Sequence, residues 1–213
     1  MTWRGILGVL IFAAFVAFIE VYLGWGALLA PWAALPPAAL VAAALLTLAS
    51  YGLRALRFYD YFAADMSGRG GACVKLMLQH NLWNNLLPMR TGEFSFPWLM
   101  SRYFAVPVAR SLPALAWFRV LDLHALGLAA LAGAAWLDGA GWLAVLAAWL
   151  PLPGLLSRAA GLLRRRLGER TGRLAPLLDK LLAGLPRTRR ALWRSVLWTY
   201  VNWLVKLAAF AWV

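Results

Sequence analysis

Between Asn84 and Glu93 the chain reads Asn-Asn-Leu-Leu-Pro-Met-Arg-Thr-Gly-Glu, which sets Asn84, Asn85, a helix breaker, Arg90 and Glu93 inside an otherwise apolar sequence. Polar groups at membrane depth are expensive, so such a stretch is the first place to look for chemistry. Arg90 offers a planar, multi-donor head suited to phosphate. Glu93, three residues on, is suited to hold Arg90 in place or to carry a proton. The plain alternative is a loop returning to the membrane surface, with Arg90 snorkelling to headgroups. A second constellation follows in Arg119 and Asp122, three residues apart and hence on one helix face. An unpaired charge there costs about 2.5 to 3.5 kcal/mol even on the mild insertion scale, so the two are expected to pair, as a structural bridge or as part of a site. His124 reads as a packing or interfacial residue. Lys206 has no acid at helical spacing and must snorkel or meet Glu93 or Asp122.

The elements that position these residues belong to a membrane. Hydrophobic residues make up 63% of the chain and charged ones 14%, with a mean hydropathy of +0.71 and 13 Trp, far from soluble averages. The net charge of +13 does not point to nucleic acid, because most of the excess lies in one loop between apolar segments, where anionic lipid headgroups account for it. The single cysteine, Cys73, excludes an internal disulfide and reads as a small buried apolar residue.

Apolar runs predict an all-α, polytopic transmembrane bundle forming a single domain over residues 1–213. Spans are expected at about Gly5–Trp25, Ala38–Leu53, Leu112–Leu137, Gly141–Leu156 and Ser195–Val213, each near the ~20 residues a bilayer core needs. Glu20 lies toward the far end of the first and reads as interfacial. Pro31, Pro36 and Pro37 mark a turn over 26–36. Lys and Arg gather at Arg4, at Arg54, Arg57 and Arg69, and above all over Arg158–Arg194, whereas 26–36 and 138–140 carry none. The positive-inside rule then places the amino terminus in the cytoplasm. For these signals to agree, residues 72–105 must start and finish inside, as a re-entrant hairpin or two short crossings. Asn84–Glu93 is then the bend of that broken hairpin, where irregular backbone is tolerated only if buried in protein or lining a wet cavity. The basic, leucine-rich segment 158–194 is expected to be an amphipathic cytoplasmic element that fixes topology at an anionic surface.

In this order, Asn84/Asn85 leading into Leu87-Pro88-Met89-Arg90-Thr91-Gly92-Glu93, then Arg102, then Arg119-Val120-Leu121-Asp122, resemble the transmembrane-region family of lysylphosphatidylglycerol synthase. Leu53-Arg54-Ala55-Leu56-Arg57-Phe58 resembles the basic end of that family's second span. Family members usually carry an acid directly before the arginine of the second element, where this chain has Phe118, so any role of that acid does not carry over. Family domains are also longer, so the expectation is a chain lacking the carboxyl-terminal part of such a domain. The resemblance implies lipid handling at a bacterial inner membrane, of the flippase type, with Asn84, Asn85, Arg90, Glu93, Arg119 and Asp122 lining a polar headgroup cavity. Aminoacyl transfer belongs to a separate soluble domain and is not carried over.

No metal-ligand spacing, Gly-rich phosphate loop or Ser/His/Asp arrangement appears, so no catalytic residue, metal or cofactor is expected. The expected partners are membrane lipids with anionic headgroups and no nucleic acid, with room for a homo-oligomer or a lipid-modifying enzyme beside it. The leading expectation is a lipid translocase or lipid-binding transporter. The alternative is a membrane enzyme, or partner of one, acting on a lipid-linked intermediate, with Glu93 or Asp122 as base.

Overall fold

The computed structural model describes residues 3–168, 180, 182–186 and 188–212, without the side chains of Arg4, Pro88, Met89, Arg90, Leu167 and Trp212. Among these residues every regular element is helical. The chain divides into two compact units, Met1–Leu45 with Ala209–Val213, and Leu46–Ala208.

The first unit holds α1 (Trp3–Tyr22), α2 (Trp25–Ala33) and the start of α3 (Pro37–Tyr61). Helix α1 is apolar on all sides and exposes Leu7, Phe12, Phe15 and Phe18. That surface needs hydrocarbon as its solvent, since a helix hydrophobic all round must be buried. The helix stops at Gly24, whose φ of 71° is open to glycine without steric cost, and the chain turns by 80° into α2. Glu20 serves this corner, accepting the Trp25 N–H at 3.1 Å. The turn expected over 26–36 is therefore mostly a helix. Its prolines act differently from one another: Pro31 lies inside α2, while Pro37 opens α3, where its missing N–H costs nothing.

In the second unit α3 continues well past the expected end at Leu53, so Arg54 and Arg57 lie within the helix rather than at its terminus. After α4 (Ala63–Met66) come α5 (Gly70–Leu86), a 3-10 turn (Pro88–Phe94) and α6 (Ser95–Phe104), which pack on one another as a helical hairpin. Pro88 sets the break. It offers no N–H and holds Leu87 extended, with ψ at 134°. The turn then folds back so tightly that a Cβ on Gly92 would overlap the Trp83 carbonyl and the Asn84 nitrogen. The bend expected at Asn84–Glu93 is thus present, with the two amides on the last turn of α5 and Glu93 in the 3-10 turn.

Helix α7 (Val108–Asp138) packs against α6 and carries Arg119, Asp122 and His124. The run expected as one span at 141–156 comprises α8 (Trp142–Trp149) and the start of α9 (Leu152–Gly168), which follow each other through Leu150–Pro151 as one apolar segment over Trp142–Arg166. Helix α10 (Arg189–Trp212) closes the described chain. Of the basic segment, α9 and the start of α10 are described, whereas 169–179, Leu181 and Arg187 lie outside the described residues. The core of the unit is aromatic: Phe58 packs tilted against Phe96 and edge-to-face against Phe118, with centroids 4.5 and 4.7 Å away, beside buried Phe62, Leu76, Leu99 and Leu121. Cys73 is buried there, its Sγ 3.4 Å from the Ala55 carbonyl, as a small apolar residue would be.

Three described helical segments are long and apolar enough to cross a membrane, Pro37–Tyr61, Val108–Asp138 and Trp142–Arg166, and the bent pair Ile6–Tyr22 with Trp25–Ala33 makes a fourth if counted as one span. The expected fifth, α10, is not among them. Ser195, Thr199 and Asn202 are buried on it and bond within the unit, which lowers its hydropathy while fixing its orientation: Asn202 Oδ1 accepts the Ser50 hydroxyl at 2.8 Å.

Candidate functional site

The polar residues of α3, α5, the 3-10 turn, α7 and α10 converge on one cavity of about 470 Å³. Its walls include Arg54, Asn81, Asn84, Asn85, Glu93, Arg119, Asp122, Trp203 and Lys206, with Leu123 and Leu126 on the apolar side. Each element contributes for a local reason. On α3, Arg54 and Arg57 are three apart and share a face. On α5, Asn81, Asn84 and Asn85 follow the same helical spacing up to the proline break. On α7, Arg119 and Asp122 do likewise, and on α10 Trp203 and Lys206.

The floor is a buried charge relay centred on Asp122. Arg57, with 4% of its side chain exposed, donates from Nη1 to Asp122 Oδ1 at 2.8 Å and to the Thr199 hydroxyl at 3.0 Å. Its guanidinium lies over the Phe118 ring, 4.6 Å from the centroid, so the aromatic core carries the cation as well as the fold. Trp203 Nε1 donates to the same carboxylate oxygen at 3.2 Å. The other oxygen accepts Arg119 Nη1 at 3.4 Å, and Arg119 Nη2 reaches Glu93 Oε1 at 2.9 Å. Arg57 and Asp122 are the buried half of this relay, 4% and 13% exposed, and Arg119 and Glu93 the more open half, at 33% and 27%.

Across from the floor, Arg54 donates to Asn81 Oδ1 at 3.0 Å, and Lys206 lies 4.7 Å from the Trp203 ring centroid. Neither forms an ion pair among the described residues. His80 links the amides to the hairpin: Asn84 Nδ2 lies 3.2 Å from His80 Nε2, and His80 Nδ1 lies 3.1 Å from the Ser95 hydroxyl. Either orientation of the Asn84 amide leaves one of its polar atoms without that partner. Asn81 Nδ2, Asn84 Oδ1 and Arg119 Nε are buried and lack a hydrogen-bond partner. Buried polar atoms are normally satisfied, and at the wall of a cavity water or a polar ligand group can supply the partner.

Five of the six residues singled out from sequence, Asn84, Asn85, Glu93, Arg119 and Asp122, line this one cavity. The side chain of Arg90 lies outside the described residues. One expected pairing is corrected: Lys206 forms no bridge to Glu93 or Asp122 among the described residues, and its ammonium rests against Trp203. Glu93 is held by Arg119, from a later helix, while the contact expected with Arg90 falls on a side chain outside the described residues. Arg119 and Asp122 do pair, as their spacing required. His124 is buried and packs between Trp149 and Tyr200, bonding the Trp149 carbonyl at 2.9 Å and the Tyr200 hydroxyl at 2.9 Å, away from the cavity. Sequence reasoning missed Arg54 and Arg57, which it took for span-end charges, and Asn81, Trp203 and Thr199. The available signal was the i, i+3 spacing of the two arginines within a continuous apolar helix.

Among the described residues no group of three or more His, Cys, Asp or Glu side chains is placed to hold a metal ion. What the cavity can do is bind: it offers guanidinium, ammonium and amide donors, and its leading carboxylate, Asp122, is already bonded three times.

No curated protein and no solved structure shows significant similarity to the chain. The family model described as "Lysylphosphatidylglycerol synthase TM region" matches residues 5–213, and with that coverage the chain belongs to this family of membrane proteins related to lipid handling.

Proposed function

We propose that the protein is a membrane lipid translocase or lipid-binding transporter, and that the cavity between α3, the hairpin, α7 and α10 receives the lipid headgroup while the tails stay in the bilayer. The observation that carries this reading is the cavity itself, a polar chamber drawn from five elements of a strongly apolar chain, with buried donors left unpaired. Arg119 is the residue we assign to the headgroup phosphate, since it belongs to the more exposed half of the relay, lines the cavity and has a buried Nε without a hydrogen-bond partner. Arg90, whose backbone lies in the 3-10 turn, is its companion by sequence.

The same reading places the chain in a bacterial inner membrane with its amino terminus in the cytoplasm, on the strength of the Lys and Arg distribution. For the enzymatic alternative Asp122 is a poor base, because it is committed to Arg57, Arg119 and Trp203, which leaves Glu93, held by Arg119 through one oxygen, as the base that reading would use. The test is a leaflet-resolved lipid assay in proteoliposomes. Wild-type protein should accelerate transbilayer movement of a labelled phospholipid, and Arg119→Ala and Glu93→Ala should abolish it. Headgroup turnover without movement would replace the proposal with the enzymatic one.

A further inference from the structure

His80 takes no part in the charge relay, yet it is only 2% exposed and holds the amide of a cavity residue. It lies on α5 one helical turn before Asn84. Ser95, the first residue of α6, meets its other ring nitrogen, and the Phe96 ring makes a T-shaped contact with 5.5 Å between centroids. A neutral imidazole has one N–H and one lone pair, so the contacts to Asn84 and Ser95 are not independent. If Nδ1 donates to the Ser95 hydroxyl, Nε2 must accept the Asn84 Nδ2 amide, and the Asn84 oxygen is turned away from the ring. If Nε2 carries the proton, the amide is reversed and its NH2 group is turned away instead. The field at the cavity decides between them. Asn84 shares the walls with three cations, Arg54, Arg119 and Lys206, against two carboxylates that are already bonded to arginines. Arg119 and Arg54 are also the charges that act on His80. An NH2 group turned toward these cations meets like charge, whereas an oxygen is attracted. With the oxygen outward, the buried wall atoms without a partner are two donors, Asn81 Nδ2 and Arg119 Nε, and one acceptor, Asn84 Oδ1.

We infer that His80 is a positioning residue of the headgroup site. Held by Ser95 as the Nδ1–H tautomer, it fixes the Asn84 amide with its oxygen toward the cavity, and that oxygen takes a hydrogen-bond donor of the headgroup, such as a hydroxyl, beside the phosphate assigned to Arg119. The inference deepens the proposed lipid-handling role and rests on it. That role needs a phosphate site and is indifferent to a donor on the same headgroup, whereas the fixed amide makes the site discriminate. A headgroup without the donor leaves Asn84 Oδ1 unpaired, and one hydrogen bond at such a wall is worth about three- to tenfold in affinity.

The experiment has a spectroscopic arm and a binding arm, both on the full chain in phosphatidylcholine nanodiscs. The chain contains two histidines, and His124 is an internal reference: the Trp149 carbonyl can only accept, so His124 carries its proton on Nε2. With ring-labelled histidine, nitrogen NMR should show the opposite pattern for His80, a protonated Nδ1 and a bare Nε2, its signals assigned by their loss in His80→Phe. In the binding arm, phosphatidylglycerol competes with phosphatidylpropanol, equal in charge and lacking the hydroxyls, and retained lipids are counted by native mass spectrometry. The wild type should retain phosphatidylglycerol by the margin of that one hydrogen bond. Ser95→Ala removes the partner of His80 Nδ1 at a residue that is not on the cavity wall. It should move the His80 proton to Nε2 and abolish the preference, and Ser95→Thr should keep both as in the wild type. His80→Phe should lose the preference while phosphatidylpropanol is still retained. A proton on Nε2 of His80 in the wild type would overturn the inference, as would a preference that survives Ser95→Ala. Arg119→Ala separates the two readings: if it releases both lipids while the wild type prefers neither, the headgroup site stands and the role of His80 falls. If the wild type retains neither lipid, both fall.

Discussion

The second unit contains two kinds of charge contact, and they differ in what each charge depends on. At the outside, Arg110 meets Asp65 at 2.9 Å and Arg194 meets Asp60, one base to one acid, with the arginine side chains 45% and 48% exposed. Inside, Asp122 serves Arg57, Arg119 and Trp203 together, and Arg119 serves Glu93 as well. An outer arginine that loses its partner can turn to water or a headgroup. An inner one cannot, so its loss is transmitted to every group on the relay. The outer pairs tie helix ends together; the inner set holds a cavity open in a particular arrangement of charge.

Four substitutions would break or sharpen this contrast. The largest effect is expected for Asp122→Ala, which strands Arg57 as an uncompensated buried cation. Removing one partner of a buried pair costs about 3 to 5 kcal/mol, to be read as a loss of folded protein in detergent unfolding titrations. Next is Gly92→Ala. Its Cβ would collide with the backbone of Trp83 and Asn84, so the 3-10 turn must move. Overpacking of this kind costs about 1 to 3 kcal/mol, and lipid movement should fall further than stability does, because the cavity wall moves with the turn. Glu93→Gln keeps the shape but weakens the contact to Arg119, which is already one-third exposed. We expect about 1 kcal/mol or less in stability, with a marked change in lipid movement. The smallest is Arg110→Ala, an exposed pair worth about 0 to 1 kcal/mol, with lipid movement intact. Were Arg110→Ala as damaging as Asp122→Ala, the contrast between outer and inner charges would be wrong.

The legibility of the site in the sequence follows the range of the contacts. Asn84, Asn85 and Glu93 were legible because a proline and several polar groups interrupt an apolar chain, a signal confined to ten consecutive residues. The Arg119–Asp122 pair was legible because both ends lie on one turn of one helix. Arg54 and Arg57 were not, since an arginine near the end of an apolar run has the same appearance whether it snorkels to headgroups or turns inward. Trp203 and Asn81 gave no signal at all: a tryptophan among 13 and an amide near two others are distinguished only by what they face.

Hydropathy and charge distribution by themselves determined that this is a helical membrane chain with a broken hairpin between Ala72 and Phe104, because burial in hydrocarbon and the missing N–H of Pro88 act locally along the chain. Only the tertiary structure decided which charge meets which. It brought Arg57 to Asp122 across 65 residues and Trp203 to the same carboxylate across 81, and it set Arg54 and Lys206 on the wall of the same cavity without an ion pair among the described residues. Pairing between helices depends on how their side chains pack, and no spacing within one helix encodes it.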